Sequence, residues 1–315
     1  MPVQWFPGHM HLTRQAIAER IEDIDVVMEL LDARLPGSSA NPMLAELTRG
    51  KPALKILNKQ DLADPLRTEA WLAHYQAMPA TNALALDAND AAPARRLIKA
   101  CRDLAPQRVG LSRPMRVLIC GIPNVGKSTL INTLVGKRAA RTGDEAGITR
   151  SEQRIVLDDD FYLWDTPGVL WPRITVEEGG YHLAASGAIG RNAYDEQEVA
   201  LELLRRLLAA YPDLLAQRYR FETQGLDEEA ALSAVARRRG AVAAGGRLDL
   251  HKAAEALLGD FRAGSIGRIT LETPQEFALW LEQAGLRDAQ RRERKLELER
   301  RRAGSGRLGK AVPER

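Results

Sequence analysis

The sequence predicts an α/β fold with a doubly wound, mostly parallel sheet, followed by a small all-α domain. Short apolar runs at 26–31, 52–57 and 81–86 are each followed by a stretch with helical periodicity, and this alternation predicts parallel strands. A fourth apolar run at 117–120 also leads into a helical stretch. From residue 174 to residue 286, helical patterns occur without convincing strands, which predicts the second domain.

Length and composition are typical of a globular protein inside the cell. The 315 residues are enough for two domains, and 45% hydrophobic with 28% charged residues is an ordinary balance. No apolar run approaches the roughly eighteen residues that a membrane span needs. The first residues, Met1 to Trp5, lack the pattern of a signal peptide, and two cysteines cannot form a disulfide framework. We therefore expect a cytoplasmic protein that does not contact a membrane.

The charge of the chain is unevenly distributed. Residues 287–315 contain eleven Lys or Arg against five Asp or Glu, a net charge of +6, whereas the whole chain has a net charge of +3. A basic tail on a mildly acidic body indicates a polyanionic partner, most simply nucleic acid. We predict a tail that is disordered when free and orders on RNA. A solvated tail that only aids solubility remains the alternative.

The stretch from Gly121 to Ser128 has the pattern Gly-x4-Gly-Lys-Ser between a predicted strand and a predicted helix. Such a P-loop turns its backbone N–H groups toward phosphate oxygens, while Lys127 reaches the β- and γ-phosphates and the Ser128 hydroxyl binds Mg²⁺. The loop residues expected to contact the nucleotide are Asn124, Val125, Gly126, Lys127, Ser128 and Thr129. The alternative is a Gly-rich turn without a ligand.

The motif Asn58-Lys59-x-Asp61 follows the second predicted strand. The Asp61 carboxylate can accept hydrogen bonds from the N1–H and the exocyclic amine of guanine, Asn58 can bond the purine and brace the loop, and the Lys59 stem can pack over the base. Adenine would leave the carboxylate unpaired, so this motif favours guanine. A polar turn in which the Asp caps a helix is the alternative.

The motif Asp165-x-x-Gly168 lies at the end of a predicted hairpin strand. We expect Asp165 to hold Mg²⁺, directly or through water, and the Gly168 N–H to reach the γ-phosphate. Thr149 ends a Gly-, Arg- and Thr-rich loop, and its hydroxyl is a candidate second Mg²⁺ ligand that engages only when a γ-phosphate is present.

His9 follows the aromatic segment Trp5-Phe6-Pro7-Gly8 near the start of the chain. It is either a catalytic, phosphate-facing histidine or a structural loop histidine. Without further context the structural role is favoured, because histidines in proteins are often only partly buried and structural.

The order of these motifs, with the base-reading motif before the phosphate loop, resembles that of the circularly permuted GTPases. The combination is similar to the YlqF type, the ribosome biogenesis GTPase A family. The motifs that carry the resemblance are Trp5-Phe6-Pro7-Gly8-His9-Met10, Asp32-Ala33-Arg34-x-Pro36, Asn58-Lys59-x-Asp61, Gly121-x-Pro123-Asn124-Val125-Gly126-Lys127-Ser128 and Asp165-Thr166-Pro167-Gly168.

The resemblance implies hydrolysis of GTP to GDP and phosphate, coupled to late assembly of the large (50S) ribosomal subunit, with ribosomal RNA as the contacted surface. Val169 follows Gly168, where many GTPases carry a glutamine that orients water. The resemblance transfers that task to His9. Asn124 resembles the asparagine that coordinates K⁺ in potassium-activated relatives. We expect a monomer that binds GTP and GDP.

Some assignments are weaker. The guanine-supporting motif usually written Ser-Ala is Asp87-Ala88 here, and the Ala88 N–H remains able to bond the guanine oxygen. The run Arg237-Arg238-Arg239 ends a predicted helix and either stabilises that helix end or contacts RNA. We predict a permuted GTPase domain at 1–173, a helical RNA- or ribosome-binding domain at 174–286 and the basic tail at 287–315.

Two other functions fit the sequence. One is an RNA-binding scaffold for which the nucleotide is only a structural ligand. The other is a permuted GTPase that acts on the small ribosomal subunit or on another RNA. Nucleotide motifs do not exclude the latter, since the target is set by other surfaces of the protein.

Overall fold

A computed structural model describes residues 9–108, 110–136, 153–243 and 245–305, and it confirms the predicted α/β fold with its helical second part. The strands are β1 (Val26–Asp32), β2 (Ala53–Asn58), β3 (Thr81–Leu86), β4 (Met115–Gly121), β5 (Gln153–Asp158) and β6 (Phe161–Asp165). The helices of the α/β part are α1 (His9–Arg20), α2 (Pro36–Ser39), α3 (Pro42–Leu47), α4 (Pro65–Gln76), α5 (Ala91–Leu104) and α6 (Lys127–Val135).

The described strands form a six-stranded sheet in the order β3-β2-β1-β4-β6-β5. All neighbouring pairs are parallel except β5 and β6, which form the predicted hairpin. Every residue of the central strand β1 is buried. A strand that is covered on both faces needs a nearly continuous apolar run rather than an alternation of apolar and polar residues. This explains why residues 26–31 are mostly apolar.

The chain leaves β1 in one direction, toward β2 and β3, and then returns to β4 on the other side of β1. This change of direction opens a crevice at the carboxyl ends of β1 and β4, the usual ligand position in such sheets. The strand register places Asp32 beside Asn58, and Ile119 beside Asp165. Segments that are distant in the chain therefore meet at one edge of the sheet.

The second part is helical. Its helices are α7 (Glu177–Ser186), α8 (Glu196–Ala210), α9 (Pro212–Tyr219), α10 (Glu228–Arg239), α11 (Leu250–Arg262) and α12 (Pro274–Ser305). One cluster of buried apolar side chains runs from the sheet into these helices. The segment 269–271 returns to the α/β part, where Ile269 N–H donates to the Leu62 carbonyl (2.9 Å) and Leu271 N–H to the Arg34 carbonyl (2.7 Å).

The described part of the basic tail belongs to the last helix, and the disorder predicted for the free tail stays a prediction. Helix α12 continues without a break past residue 287 as far as Ser305, the last residue that the structure describes. Arg, Lys, Glu and Leu all favour helices, so the composition that indicates a tail also sustains a helix. None of the described helices combines the length and the apolar character that crossing a membrane requires.

The arginine run at the end of α10 is also clearer in the structure. Arg239 pairs with Asp260 of α11, and Arg238 donates to the Arg220 carbonyl. Two of the three cations therefore connect α10 to neighbouring elements of the helical part, a structural role different from the expected stabilisation of their own helix end.

Candidate nucleotide-binding site

The phosphate loop lies between the end of β4 and Lys127, the first residue of α6. Gly126 precedes α6 with a φ of +99°, a left-handed conformation that favours glycine. A Cβ atom at Gly126 would overlap a neighbouring side chain. The first N–H groups of α6, including those of Ser128 and Thr129, have no acceptor within their own helix. This arrangement makes the loop an anion site.

Lys127 and Asp165 are both buried at this loop. Burial lowers the pKa of Lys127, and the nearby Asp165 charge opposes that effect. Burial raises the pKa of Asp165 to about 6, opposed by Lys127 and by the Thr166 N–H. Asp165 Oδ1 is buried and has no hydrogen-bond partner among the described residues. A carboxylate oxygen without a hydrogen-bond partner among the described residues, close to the loop that carries Ser128, fits a hard cation such as Mg²⁺.

Asn58 joins three loops. Its Nδ2 donates to the Val125 carbonyl of the phosphate loop at 2.7 Å, and its Oδ1 accepts from the Ala88 N–H at 2.8 Å. Asn58 is 2% exposed, so both bonds are made away from water. The base-reading loop is therefore attached directly to the phosphate loop.

Lys59 and Asp61, the other two residues of the motif, have different surroundings. Lys59 has a φ of +62°, and its Nζ donates to Asp32 Oδ2 and to the Asn124 carbonyl, each at 2.9 Å. Asp61 is exposed on the turn at 60–62. The Lys59 head group thus holds the phosphate loop, while the carboxylate intended for guanine is open to solvent.

The Ala88 N–H is occupied in this structure, because it donates to Asn58 Oδ1. The expected bond from Ala88 to a guanine oxygen is therefore not prepared in advance, and it stays a prediction. Ala88 does lie at the same edge of the sheet, since Leu86 is the register partner of Asn58.

Sequence reasoning missed the role of the Asp32–Arg34 pair. Arg34 Nε and Nη2 donate to the two carboxylate oxygens of Asp32 at 2.9 and 2.7 Å, and both side chains are buried. Burial alone would raise the pKa of Asp32, but Arg34 and Lys59 hold it well below its ordinary value. An Asp-x-Arg pattern at the end of a buried strand was the available signal, since buried charges are normally paired.

Gly168 and the two residues after it pack against the phosphate loop. A Cβ on Gly168 would be 2.8 Å from the Pro123 Cα, so only glycine allows this backbone approach. Val169 N–H donates to the Gly121 carbonyl at 3.1 Å. Val169 and Leu170 are fully buried, so aliphatic side chains occupy the position after the Asp-x-x-Gly glycine, where many GTPases carry a glutamine.

The other predicted site residues are placed as follows. Asn124 has a φ of +57°, and its Nδ2 donates to the Gly187 carbonyl just after α7 at 2.8 Å. His9 is the first residue of α1, and only its backbone is described. Thr149 lies outside the described residues. The structure therefore does not test the roles of His9 and Thr149.

A phosphate loop at the switch point of a mostly parallel sheet, joined to a guanine-type base-reading loop, defines a P-loop GTPase with permuted motif order. Residues 116–223 match a family model described as a 50S ribosome-binding GTPase. The ribosome biogenesis GTPase A of Priestia megaterium is 41% identical over 284 residues, which cover 88% of this chain and 98% of the relative. The chain belongs to the ribosome biogenesis GTPase A family.

More distant relatives have related descriptions. The mitochondrial ribosome-associated GTPase 1 of Xenopus tropicalis is 32% identical over 296 residues, which cover 85% of this chain and 94% of the relative. The structure of GNP-bound YlqF from T. maritima has a TM-score of 0.59 at 24% identity and covers 84% of this chain and 98% of its own. That likeness supports the fold.

Proposed function

We propose that this protein hydrolyses GTP to GDP and phosphate as an assembly factor for the large (50S) ribosomal subunit, acting as a monomer in the cytoplasm. The observation that carries the proposal is the bond from Asn58 Nδ2 to the Val125 carbonyl, because it joins a base reader to a phosphate loop at one sheet edge. The family description as a 50S ribosome-binding GTPase supports the choice of particle.

In the proposed site, Lys127 neutralises the β- and γ-phosphates, and the Gly168 N–H donates to the γ-phosphate. Mg²⁺ would be held by the Ser128 hydroxyl and by Asp165, joined by Thr149 when a γ-phosphate is present. When bound, the ion supplies positive charge at the transferring phosphoryl group. Asp165 Oδ1, which is buried and has no hydrogen-bond partner in the described part of the chain, supports this assignment.

The attacking water needs a positioning group, because the buried Val169 and Leu170 have no polar atoms in their side chains. We assign this role to His9. The Asn124 amide oxygen is assigned to K⁺, which would add positive charge where other GTPases use an arginine finger. Faster hydrolysis in KCl than in NaCl at equal ionic strength would support the K⁺ assignment, and equal rates would remove it.

Guanine recognition is tested by Asp61→Asn. The asparagine amide no longer accepts two hydrogen bonds from guanine, so we expect GTP affinity to fall by about 10⁴-fold, with preference shifting to xanthosine triphosphate. The matched control is Asp64→Asn, since Asp64 caps α4 three residues away. Unchanged GTP preference in Asp61→Asn would remove this residue from the site.

The particle is tested by sedimentation of the protein with ribosomal fractions in a non-hydrolysable GTP analogue, and by the precursor that accumulates on depletion. Co-sedimentation with 50S-type particles, together with a large-subunit precursor, is the expected result. A small-subunit precursor would favour the other permuted GTPase function. Normal assembly with a hydrolysis-dead Lys127→Ala protein would favour the RNA-binding scaffold.

A further inference from the structure

Two separate series of hydrogen bonds connect the end of helix α11 with Asn124 of the phosphate loop. The first series begins at Arg34, whose Nη1 donates to the Phe261 carbonyl at 3.2 Å and to the Arg262 carbonyl at 3.3 Å. The Arg34 guanidinium also lies over the Phe261 ring, 4.9 Å from its centroid. The last turn of α11 thus holds one side of this guanidinium.

The first series continues to the phosphate loop through charged groups. Arg34 holds both carboxylate oxygens of Asp32, and Asp32 Oδ2 accepts from Lys59 Nζ at 2.9 Å. The same ammonium donates to the Asn124 carbonyl at 2.9 Å. Arg34 and Asp32 are each 1% exposed, and hydrogen bonds that are shielded from water are electrostatically stronger. The first series therefore ends on the backbone of residue 124.

The second series begins at Arg262, the last residue of α11. Its Nε donates to the Ala185 carbonyl at 2.8 Å and its Nη2 to the Ala184 carbonyl at 3.0 Å, so it holds the last turn of α7. Gly187 caps α7 with a φ of +83°, and its carbonyl accepts from Asn124 Nδ2 at 2.8 Å. The second series therefore ends on the side chain of Asn124.

Asn124 has a left-handed backbone conformation that is uncommon for residues other than glycine. Its carbonyl and its amide are held by different partners, and both partners are connected through hydrogen bonds to residues 261 and 262. The conformation of the phosphate loop at this residue is thus over-determined by contacts with the helical part. Such conformations persist only where the surrounding structure imposes them.

We propose that Arg262 and Arg34 are positioning residues that set the phosphate-loop conformation at Asn124 and thereby the affinity for guanine nucleotide. The proposal rests on the proposed function, because it assumes that this loop binds GTP and GDP. Through these residues the helical part and the nucleotide site are coupled. Such coupling is reciprocal: if a ligand that shifts the end of α11 changes the affinity for nucleotide by some factor, nucleotide changes the affinity for that ligand by the same factor.

The test is the dissociation constant of a fluorescent GDP measured on the full chain with variants of both series. Arg262→Met removes the hydrogen bonds of the second series. Arg34→Lys keeps a cation beside Asp32, but a lysine lacks the guanidinium N–H groups that reach the Phe261 and Arg262 carbonyls. Each change is expected to weaken GDP binding about tenfold, within the usual range of coupling between sites.

A double-mutant cycle with Asn124→Gly separates the two series. Glycine accepts the left-handed conformation and keeps its carbonyl, but it has no amide to bond Gly187. In the Asn124→Gly background, Arg262→Met is therefore expected to have no further effect on GDP affinity, whereas the effect of Arg34→Lys persists. If the fold-changes of Arg262→Met and Asn124→Gly multiply, the proposal is wrong.

The matched control is Arg218→Met. Arg218 also binds α11, through two hydrogen bonds to Asp260 at 3.1 and 2.9 Å, but these bonds do not lead to the phosphate loop. GDP affinity is expected to stay within twofold of the parent, at a melting temperature similar to that of Arg262→Met. If Arg262→Met does not fold, Arg262→Gln gives the same comparison. Failure of the parent itself to bind GDP would reject the proposed function, whereas parent-like affinity in both arginine variants would reject only this inference.

Discussion

At the scale of single residues, the site is assembled by side chains that use all their hydrogen-bonding atoms. Asn58 binds the phosphate loop with its amide nitrogen and the loop after β3 with its amide oxygen. Lys59 binds Asp32 and the Asn124 carbonyl. Three loops are therefore held together before any nucleotide arrives, which reduces the ordering cost of binding.

Removing the Asn58 side chain should weaken both the fold and nucleotide binding. Asn58→Ala leaves the Val125 carbonyl and the Ala88 N–H buried without partners, and we expect the free energy of unfolding to fall by about 2 kcal/mol. Urea unfolding and GDP titration measure the two effects. Asn82→Ala is the control, because the Asn82 side chain accepts a hydrogen bond from the N–H of its own neighbour Ala83 and joins no other loop among the described residues. Equal losses in the two variants would contradict the bracing role.

Asp32 provides a prediction on pH. Its pKa is lower in the folded state than its unfolded value of 3.8, because Arg34 and Lys59 outweigh the effect of burial. The carboxylate therefore adds stability that is fully present above pH 3.8 and is lost as the pH falls toward the folded pKa. This stability is absent from a variant with a neutral side chain.

We expect Asp32→Asn to lower the free energy of unfolding by about 3–5 kcal/mol at pH 7, since it breaks a buried ion pair. The difference from the parent should narrow as the pH falls below about 4, because the Asp32 carboxylate of the unfolded parent chain then binds protons while that of the folded chain stays ionised. Urea unfolding between pH 7 and pH 3 measures this difference. Asp103→Asn, in the exposed pair with Lys99, serves as the control. A difference that stays constant over this pH range would show that Asp32 is not the titrating group.

The role of His9 is tested by catalysis. If His9 positions the attacking water, His9→Ala should lower kcat by about 10²–10⁴-fold while GTP affinity stays nearly unchanged. Single-turnover GTP hydrolysis and nucleotide titration separate these quantities. His251→Ala, on the exposed face of α11, is the control. If the His9→Ala enzyme hydrolyses GTP as fast as the parent, a group other than His9 must position the attacking water.

At the scale of elements, helix α12 has two different halves. Its first half is anchored by buried Trp280 and Ala284, and Arg173 pairs with Asp288 at 2.6 Å. Every side chain from Ala289 to Glu299 is exposed. The second half therefore projects into solvent, and its basic residues are available to a polyanion.

Deletion of residues 289–315 should leave the fold intact and weaken RNA binding. We expect an unchanged melting temperature and a slope of log K against log salt that is less negative by about 3, since each phosphate contact contributes about −0.7 to −0.9. Binding of large-subunit rRNA over a range of salt concentrations measures the slope. Arg95→Ala/Arg96→Ala, on the exposed face of α5, is the control. An unchanged slope after deletion would leave the solubilising tail as the explanation.

At the scale of the whole molecule, a buried polar cluster attaches the helical part to the sheet part. Glu272 Oε1 accepts from the Ser38 N–H at 2.7 Å, and Glu272 Oε2 lies 2.8 Å from His182 Nδ1. The Trp71 indole donates to the Glu272 carbonyl at 3.0 Å. The cluster joins α2, α4 and α7, so it holds three elements in register.

Glu272→Ala should therefore loosen the attachment of the two parts. The Ser38 N–H would be buried without a partner, and we expect a loss of about 3 kcal/mol in the free energy of unfolding, with faster proteolysis between residues 262 and 274. Glu276→Ala is the control, because Glu276 bonds the Thr273 N–H at a half-exposed position. Equal cleavage rates in the two variants would argue against the attachment role.

Much of this protein is determined by its sequence alone. The strands, the phosphate loop and the base-reading motif are short, contiguous patterns, and their physical causes are local: apolar runs, glycine conformations and helix starts. The permuted motif order is also visible directly in the sequence. The sheet and the meeting of Asn58 with the phosphate loop follow from the rule that parallel strands share a carboxyl edge.

Only the tertiary structure decided which side chains complete these motifs. The bonds from Arg34 to Phe261 and from Asn124 to Gly187 join residues separated by 227 and 63 positions. No local pattern specifies such contacts, since they depend on how the helices pack against the sheet. The continuation of α12 past residue 287 was equally undetermined, because a charged sequence that favours a helix also favours a solvated chain.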